Sequence, residues 1–322
     1  MIKEVDISNF ADRMNGFVDQ KRALGYQYKD SFNHLTRLAN FIVARFPFAT
    51  TLSKELVLAY CTRNDNESWQ SVLSRSIVTR EFAKYLCSLG EEAYILPKGF
   101  VKVRPHKTPH IFTIEEIKSI WNVADSLPSK GKTLVHLLYP VLLRMIYCCG
   151  LRPIEGLKLT VVDVDLQKGT LLIRESKGHK SRLIAMPDDL LTCCIKYNRH
   201  ICRLMPNRKA FFPNTKGTQY CYQEIWKIFK QILVKAGVTN GRAGRPRVYD
   251  FRHSFATHRL YLWMKEGKNL HVMLPYLSAY MGHANIASTL YYIHLVPGIF
   301  ENMSGKTFSQ YQYLLPEVLP HE

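Results

Sequence analysis

The sequence predicts a mainly α fold with one small antiparallel β-sheet, divided between two domains. Three observations carry that expectation. Apolar residues recur three or four positions apart over most of the 322-residue chain, the spacing that buries one helix face. One stretch, 161–187, alternates instead, as strands do. A basic, proline-containing segment at 95–112 interrupts the helical pattern between them.

Taken in order, the first ninety residues read as about four short helices. Segments near 8–18 and 53–62 supply two. Phe32, Leu35, Leu38, Ile42 and Phe46 mark a third, and Val78, Phe82, Tyr85 and Leu89 a fourth. Gly90 stands where a helix end wants a residue free to take positive φ. This helical unit is placed at 1–95. The segment ILPKGFVKVRPHKTPHIF then brings three prolines and four lysine or arginine residues with no acid. Proline blocks helix and stiffens the chain, so 96–112 reads as an extended linker. Its Lys102, Arg104 and Lys107 serve either as a solvated tether or as a strap along a phosphate backbone.

A second domain begins at Thr113, where TIEE supplies a capping box with Glu116 as its return partner. It runs to 295, leaving 296–322 as a tail. Within it, VVDVDLQKGTLLIRESKGHKSRLIAMP is broken at Lys168-Gly169 and at Ser176-Lys177-Gly178-His179. Those breaks predict three short antiparallel strands joined by two turns. From about 188 a helical pattern is expected to run to the end.

Lysine plus arginine outnumber aspartate plus glutamate by 44 to 26, for a net charge of +18. That excess points to a polyanion, with nucleic acid first and a membrane surface a distant second. No apolar run approaches the roughly 18–20 residues of a membrane span, and the N-terminus lacks an apolar signal core, so a cytoplasmic location is expected. The eight cysteines contain no CxxC pair, a pattern of reduced thiols rather than a disulfide framework. Cys193, Cys194, His200 and Cys202 have the spacing of no standard zinc site, so no metal is expected.

Four places gather polar groups in apolar settings. CCGLRPIEGLKL (148–159) carries Arg152 with Glu155 three residues on, close enough on a helix to hold the guanidinium. The turn SKGHKSR carries Lys177, Lys180 and Arg182, either solvated or able to enter a DNA groove. RVYDFRHSFATH (247–258) sets Tyr249, Arg252, His253 and His258 among Phe251, Phe255 and Ala256. MGHANIASTLYYIH (281–294) reads as a helix end at Gly282-His283, an N-cap at Asn285, and Tyr291-Tyr292 inside the next helix.

Two arginines, a lysine, a histidine and a tyrosine are what metal-free phosphodiester cleavage requires. Guanidiniums clamp the charged phosphoryl oxygens, a tyrosine oxygen attacks phosphorus, and a lysine protonates the leaving oxygen.

At these residues the sequence resembles the tyrosine recombinases, or phage-type integrases, over the whole chain and most strongly over 113–294. The resemblance implies a helical core-binding (SAM-like) domain and an α+β catalytic domain closing as a C-shaped clamp on double-stranded DNA. It assigns Arg152 and Arg252 as the paired arginines, Glu155 as the first one's companion, Lys177 as general acid and His283 as the Gly-His box histidine. Tyr292, nine residues beyond His283 and two before His294, is the implied nucleophile, with Tyr291 the fallback. One position departs: the family's usual histidine three residues before the second arginine is Tyr249. A phenol donates a hydrogen bond but does not shuttle protons near neutral pH, so Tyr249 is expected to donate while His283 and Lys177 transfer protons. His253 and His258 are expected to pack the helix or support the site from behind.

The implied activity is site-specific recombination through a 3′-phosphotyrosine, without ATP or a catalytic metal, in a tetrameric synapse and in the service of a mobile element. The expected setting is the bacterial nucleoid, with accessory proteins as possible partners and the tail packing in cis or on a neighbouring protomer. The chain starts directly on the core-binding helices, which favours a compact recombinase over one that also bridges distant arm sites. Alternatives are a DNA-binding accessory protein that cleaves poorly, and an enzyme of the type IB topoisomerase or telomere resolvase kind.

Overall fold

A computed structural model describes residues 9–26, 28–102, 108–129, 133–174, 181–238 and 245–295. The chain divides into two compact units, Met1–His106 and Lys107–Glu322, each with its own apolar core.

In the first unit, four helices form among the described residues: α1 (Ala11–Ala23), α2 (Lys29–Arg45), α3 (Lys54–Cys61) and α4 (Trp69–Ser88). Ser53 and Ser68 start α3 and α4 by accepting hydrogen bonds from Leu56 N and Ser71 N, which satisfies amides that a helix start leaves unpaired. Phe17, Leu35, Leu38, Ile42 and Phe82 meet in the core. Leu89 departs from the sequence expectation. It caps α4 rather than extending its buried face and is 54% exposed, while Gly90 turns the chain out at φ +83°.

The second unit is organised around α6 (Val135–Cys148), whose Leu138, Tyr139, Leu142, Leu143, Met145 and Ile146 are all fully buried. Packed on it are α5 (Ile114–Asp125), α8 (Asp188–Leu204) and α10 (Asp250–Lys265). The predicted capping box at Thr113 forms, its hydroxyl accepting from Glu116 N and the Glu116 carboxylate from Thr113 N. The short helix α7 (Pro153–Lys158) follows α6 directly, and α9 (Tyr222–Lys235), α11 (Leu270–Met281) and α12 (Ala287–Leu290) complete the set.

Three short strands, β1 (Val164–Asp165), β2 (Thr170–Ile173) and β3 (Arg182–Ala185), pair antiparallel in chain order. Leu171 faces Ile184 across the β2–β3 ladder, and both are fully buried, so alternation fixes which face meets the core. The helical pattern expected without break from 188 is interrupted. Residues 205–221 form an irregular excursion, pinned to the domain by bridges such as Thr160 to Ala210. Pro206 and Pro213, with Asn207, Asn214 and Gly217, make this a run of turns. Among the described residues, no helix is long and apolar enough to cross a membrane.

Candidate active site

The site is assembled from four chain segments of the second unit. Gly150 ends the α6 turn at φ +58°, and Pro153 at the first position of α7 suits a helix start. Arg152 is held between them as the N-cap. Glu155, one turn into α7, accepts from Arg152 N at 2.9 Å and from its guanidinium at 2.7 Å. The expected arginine–glutamate pair therefore forms, and the backbone shares in it.

Glu155 has a further partner. Arg182, the first residue of β3, donates to both its carboxylate oxygens at 3.1 and 2.7 Å, and through Nε to Tyr280 O at 2.9 Å. Its side chain is 10% exposed. This corrects the expectation that Arg182 lies in a DNA groove: a bidentate carboxylate and a carbonyl draw it inward to the foot of the site. Burial alone would raise the Glu155 carboxyl, but these arginine and amide partners overcome it and hold the pKa down at about 2.

Arg252, on the first turn of α10, is fully buried. It donates to Gly150 O and to Met281 O, each at 2.7 Å, while its Nε has no hydrogen-bond partner. Arg152 donates similarly to Gly282 O at 3.0 Å. The carbonyls at the end of α11, unpaired within their own helix, thus orient both guanidiniums. Burial and the neighbouring Arg152 disfavour the Arg252 charge. A guanidinium nonetheless keeps its proton in proteins, so the pair forms a buried positive pocket that an anion would relieve.

Gly282 closes α11 in the left-handed region, at φ +65°. A Cβ there would lie 2.8 Å from the Arg182 guanidinium. Gly282→Ala is therefore expected to lower the free energy of unfolding by about 1–2 kcal/mol from backbone strain alone, and more once Arg182 is displaced. Urea unfolding checks this; an unchanged midpoint would mean that the turn relaxes freely.

His283 follows. Its Nδ1 lies 2.7 Å from Thr289 Oγ1, and its ring stacks on Tyr292 with centroids 6.0 Å apart. Burial first, then Arg252, Arg152 and Arg182, push its pKa down to about 4. Asn285 was expected as the N-cap, but Ile286 takes that place and Asn285 stands one residue earlier, its side chain accepting from Ser288 N, and α12 is a single turn. Tyr291 and Tyr292 lie beyond it rather than inside it.

The two tyrosines differ sharply. Tyr291 is 43% exposed, whereas Tyr292 is 3% exposed and packs against Ala256, Leu260 and Met281. Burial raises the Tyr292 phenol to about 12, with nearby Arg252 acting in the opposite direction. His253 Nδ1 lies 3.2 Å from its hydroxyl. His253 was expected to pack α10 or act from behind the site; it instead touches the oxygen of the implied nucleophile. The His258 Nδ1 lies 2.9 Å from the Tyr147 hydroxyl. Tyr249 caps α10 and lays its ring beside His253, centroids 5.0 Å apart.

Arg152, Glu155, Tyr249, Arg252, His253, His283 and Tyr292 thus all lie in or beside one site. Lys177, Lys180, Arg104 and Lys107 lie outside the described residues, and Lys102 is exposed on the first unit. The role of Arg182 was missed because nothing in a hairpin sequence signals a carboxylate three elements away. Thr289, fully buried on His283, gave no signal either.

Paired guanidiniums beside a buried tyrosine hydroxyl define a site for phosphoryl transfer to a protein oxygen. The chain belongs to the phage integrase family, whose sequence model matches residues 110–297; it is a tyrosine recombinase, of the class of DNA strand-transferases. It is 28% identical over 292 residues to the integrase/recombinase y4rE of Sinorhizobium fredii, covering 88% of this chain and 90% of the relative. It is 30% identical over 195 residues to the tyrosine recombinase XerD of Staphylococcus epidermidis, 59% of each chain. In fold it is similar to the XerH recombinase in its post-cleavage complex with difH, with a TM-score of 0.62 at 20% identity over 84% of this chain and 77% of that one. The Tn1549 transposon integrase, in complex with circular intermediate DNA, gives a TM-score of 0.60 at 16% identity over 87% and 94%.

Proposed function

We propose that this recombinase breaks and rejoins duplex DNA at a specific site through Tyr292, forming a 3′-phosphotyrosine and freeing a 5′-hydroxyl. The observation that carries the reading is the gathering of Arg152, Arg252 and His283 around the buried Tyr292, the His283 ring stacked on the tyrosine and the two arginines near enough to oppose the effect of burial on its phenol. Arg152 and Arg252 grip the non-bridging oxygens, whose charge grows in the transition state. His283, steadied by Thr289, donates to the same phosphate. Lys177 protonates the departing 5′ oxygen, and Glu155 and Arg182 hold Arg152 in place. Lys102, Arg104, Lys107 and Lys180 contact the DNA backbone, where each neutralised phosphate releases a counterion. Strand exchange proceeds in a tetramer of this chain on DNA, in the service of a mobile element and in contact with the nucleoid.

Tyr249 takes the place of the family's usual histidine as a phosphate hydrogen-bond donor. Tyr249→Phe is expected to slow cleavage about tenfold, the loss of one neutral hydrogen bond, while Tyr249→His is tolerated. Full activity in the Phe variant would remove Tyr249 from the mechanism.

Covalent trapping tests the whole reading. Cells are lysed in strong denaturant, the protein is recovered, and attached DNA is sequenced beside a Tyr292→Phe control. Adducts on wild type alone, clustered at one sequence, are expected. Adducts on the Phe variant would move the nucleophile elsewhere. An absence of adducts on wild type, even with nicked duplexes built from crosslinked sites, would favour a DNA-binding protein that no longer cuts.

A further inference from the structure

We propose that His253 is the group that takes the phenolic proton from Tyr292 during cleavage and returns it during religation. The inference rests on the reading of Tyr292 as nucleophile and deepens it.

The argument starts from what surrounds the Tyr292 hydroxyl. Arg252 and Arg152 lie near enough to oppose the effect of burial on this phenol, and a guanidinium can only donate. The phenolic hydrogen must therefore point elsewhere. His253 Nδ1, at 3.2 Å, lies on the same oxygen, and an imidazole nitrogen is able to accept. His283 is differently employed: its Nδ1 pairs with Thr289 at 2.7 Å, and its ring lies nearly parallel to the Tyr292 ring, at 17°. Tyr249 flanks the His253 ring at a 59° tilt and offers a phenol where an acceptor is needed.

The groups facing His253 are Arg247, Asp250, Arg252 and Tyr249 from its own segment, and Tyr292 and His283 from the turns after α11. Burial is the main cause that holds its pKa near 4, with Arg247 and Arg252 pushing the same way and Asp250 opposing them. The ring is thus neutral at physiological pH, with a lone pair free. A phosphate entering between the arginines adds negative charge beside it and raises its affinity for a proton.

In the step itself, the Tyr292 O–H bond breaks as the Tyr292 O–P bond forms, and the proton moves to His253 Nδ1. The P–O5′ bond breaks, and the leaving oxygen takes a proton from a separate donor, Lys177 in the proposed assignment. Religation reverses both transfers. A buried phenol held near 12 ionises too rarely to attack unaided, which is why an adjacent acceptor matters.

Two measurements on the full chain test this. The first needs no DNA. Nitrogen-15 correlation spectra of the histidines should show His253 with Nδ1 unprotonated and Nε2 carrying the hydrogen, and Tyr292→Phe should move the Nδ1 resonance. An Nδ1–H tautomer would overturn the proposal. The second uses a nicked duplex carrying the sequence recovered by trapping. His253→Ala should slow adduct formation about a hundredfold or more, with DNA binding retained, and added imidazole should restore at least part of the rate. A purely structural role predicts no rescue by imidazole. If wild type forms the adduct and His253→Ala forms it as fast, His253 is not the acceptor. If wild type forms none, the nucleophile assignment itself has failed.

Discussion

Arg252→Ala is expected to lower the rate of DNA cleavage by about a thousandfold or more, the upper range for removing one donor from a charged transition state. The loss should exceed that of a simple contact, because the side chain also supports the site. It is fully buried and ties Gly150 to Met281 through two 2.7 Å hydrogen bonds. Removing it leaves both carbonyls without that donor, at about 1–3 kcal/mol each if water does not replace it. Arg252→Lys separates the two effects. It keeps the charge but cannot reach both carbonyls and a phosphate in one plane. The Lys variant should therefore remain folded in thermal melts and still cleave about a hundredfold slower than wild type in single-turnover assays. Cleavage by the Lys variant at the wild-type rate would show that charge alone suffices.

Glu155→Ala carries the second large effect. The carboxylate separates Arg152 from Arg182, bonded to each at 2.7 Å, and its side chain is 8% exposed. Without it two part-buried cations face each other with no carboxylate between them, a loss of about 3–5 kcal/mol by the usual cost of breaking such a pair. Acid titration gives an independent check. The Glu155 carboxyl is lowered from 4.5 to about 2 by its partners. A depressed carboxylate stabilises the fold above its unfolded pKa and loses that contribution as pH falls through its folded one. The wild type should thus hold a margin over Glu155→Gln of roughly 3 kcal/mol, constant above about pH 4.5 and closing as pH approaches 2. A margin that does not change with pH would mean that shape, not charge, makes the pair.

Much of this was legible beforehand, for identifiable reasons. Helices α2 and α4 follow from Phe32, Leu35, Leu38, Ile42, Val78 and Phe82, because burial imposes a period on sequence. The three strands follow from the alternating pattern and from the sequence breaks at Lys168-Gly169 and Ser176-Lys177-Gly178-His179, the second of which lies outside the described residues. The arginines, His283 and Tyr292 stood out together because the chemistry restricts residue type and the resemblance fixed their order. What was not legible depends on tertiary approach. Helix α10 buries Asp250, Arg252, Ser254, Thr257 and His258 beside Phe251 and Leu260, so it carries no clean polar face to read. The Arg182–Glu155 pair joins residues 27 apart and His253–Tyr292 residues 39 apart, and no local pattern encodes either. The 205–221 excursion was missed because its turns are short and flanked by helices.

The carbonyls that hold the two arginines have a consequence for when the protein becomes dangerous to DNA. Arg252 rests on residues 102 positions before it and 29 after it, and Arg152 on one 130 after it. No nascent chain that stops short of Met281 and Gly282 can hold the two arginines as the folded protein does, because those carbonyls orient them. Tyr292, the proposed nucleophile, is made after both. On the proposed assignment, a half-made chain can bring positive charge to a chromosome but carries no assembled site with which to nick it.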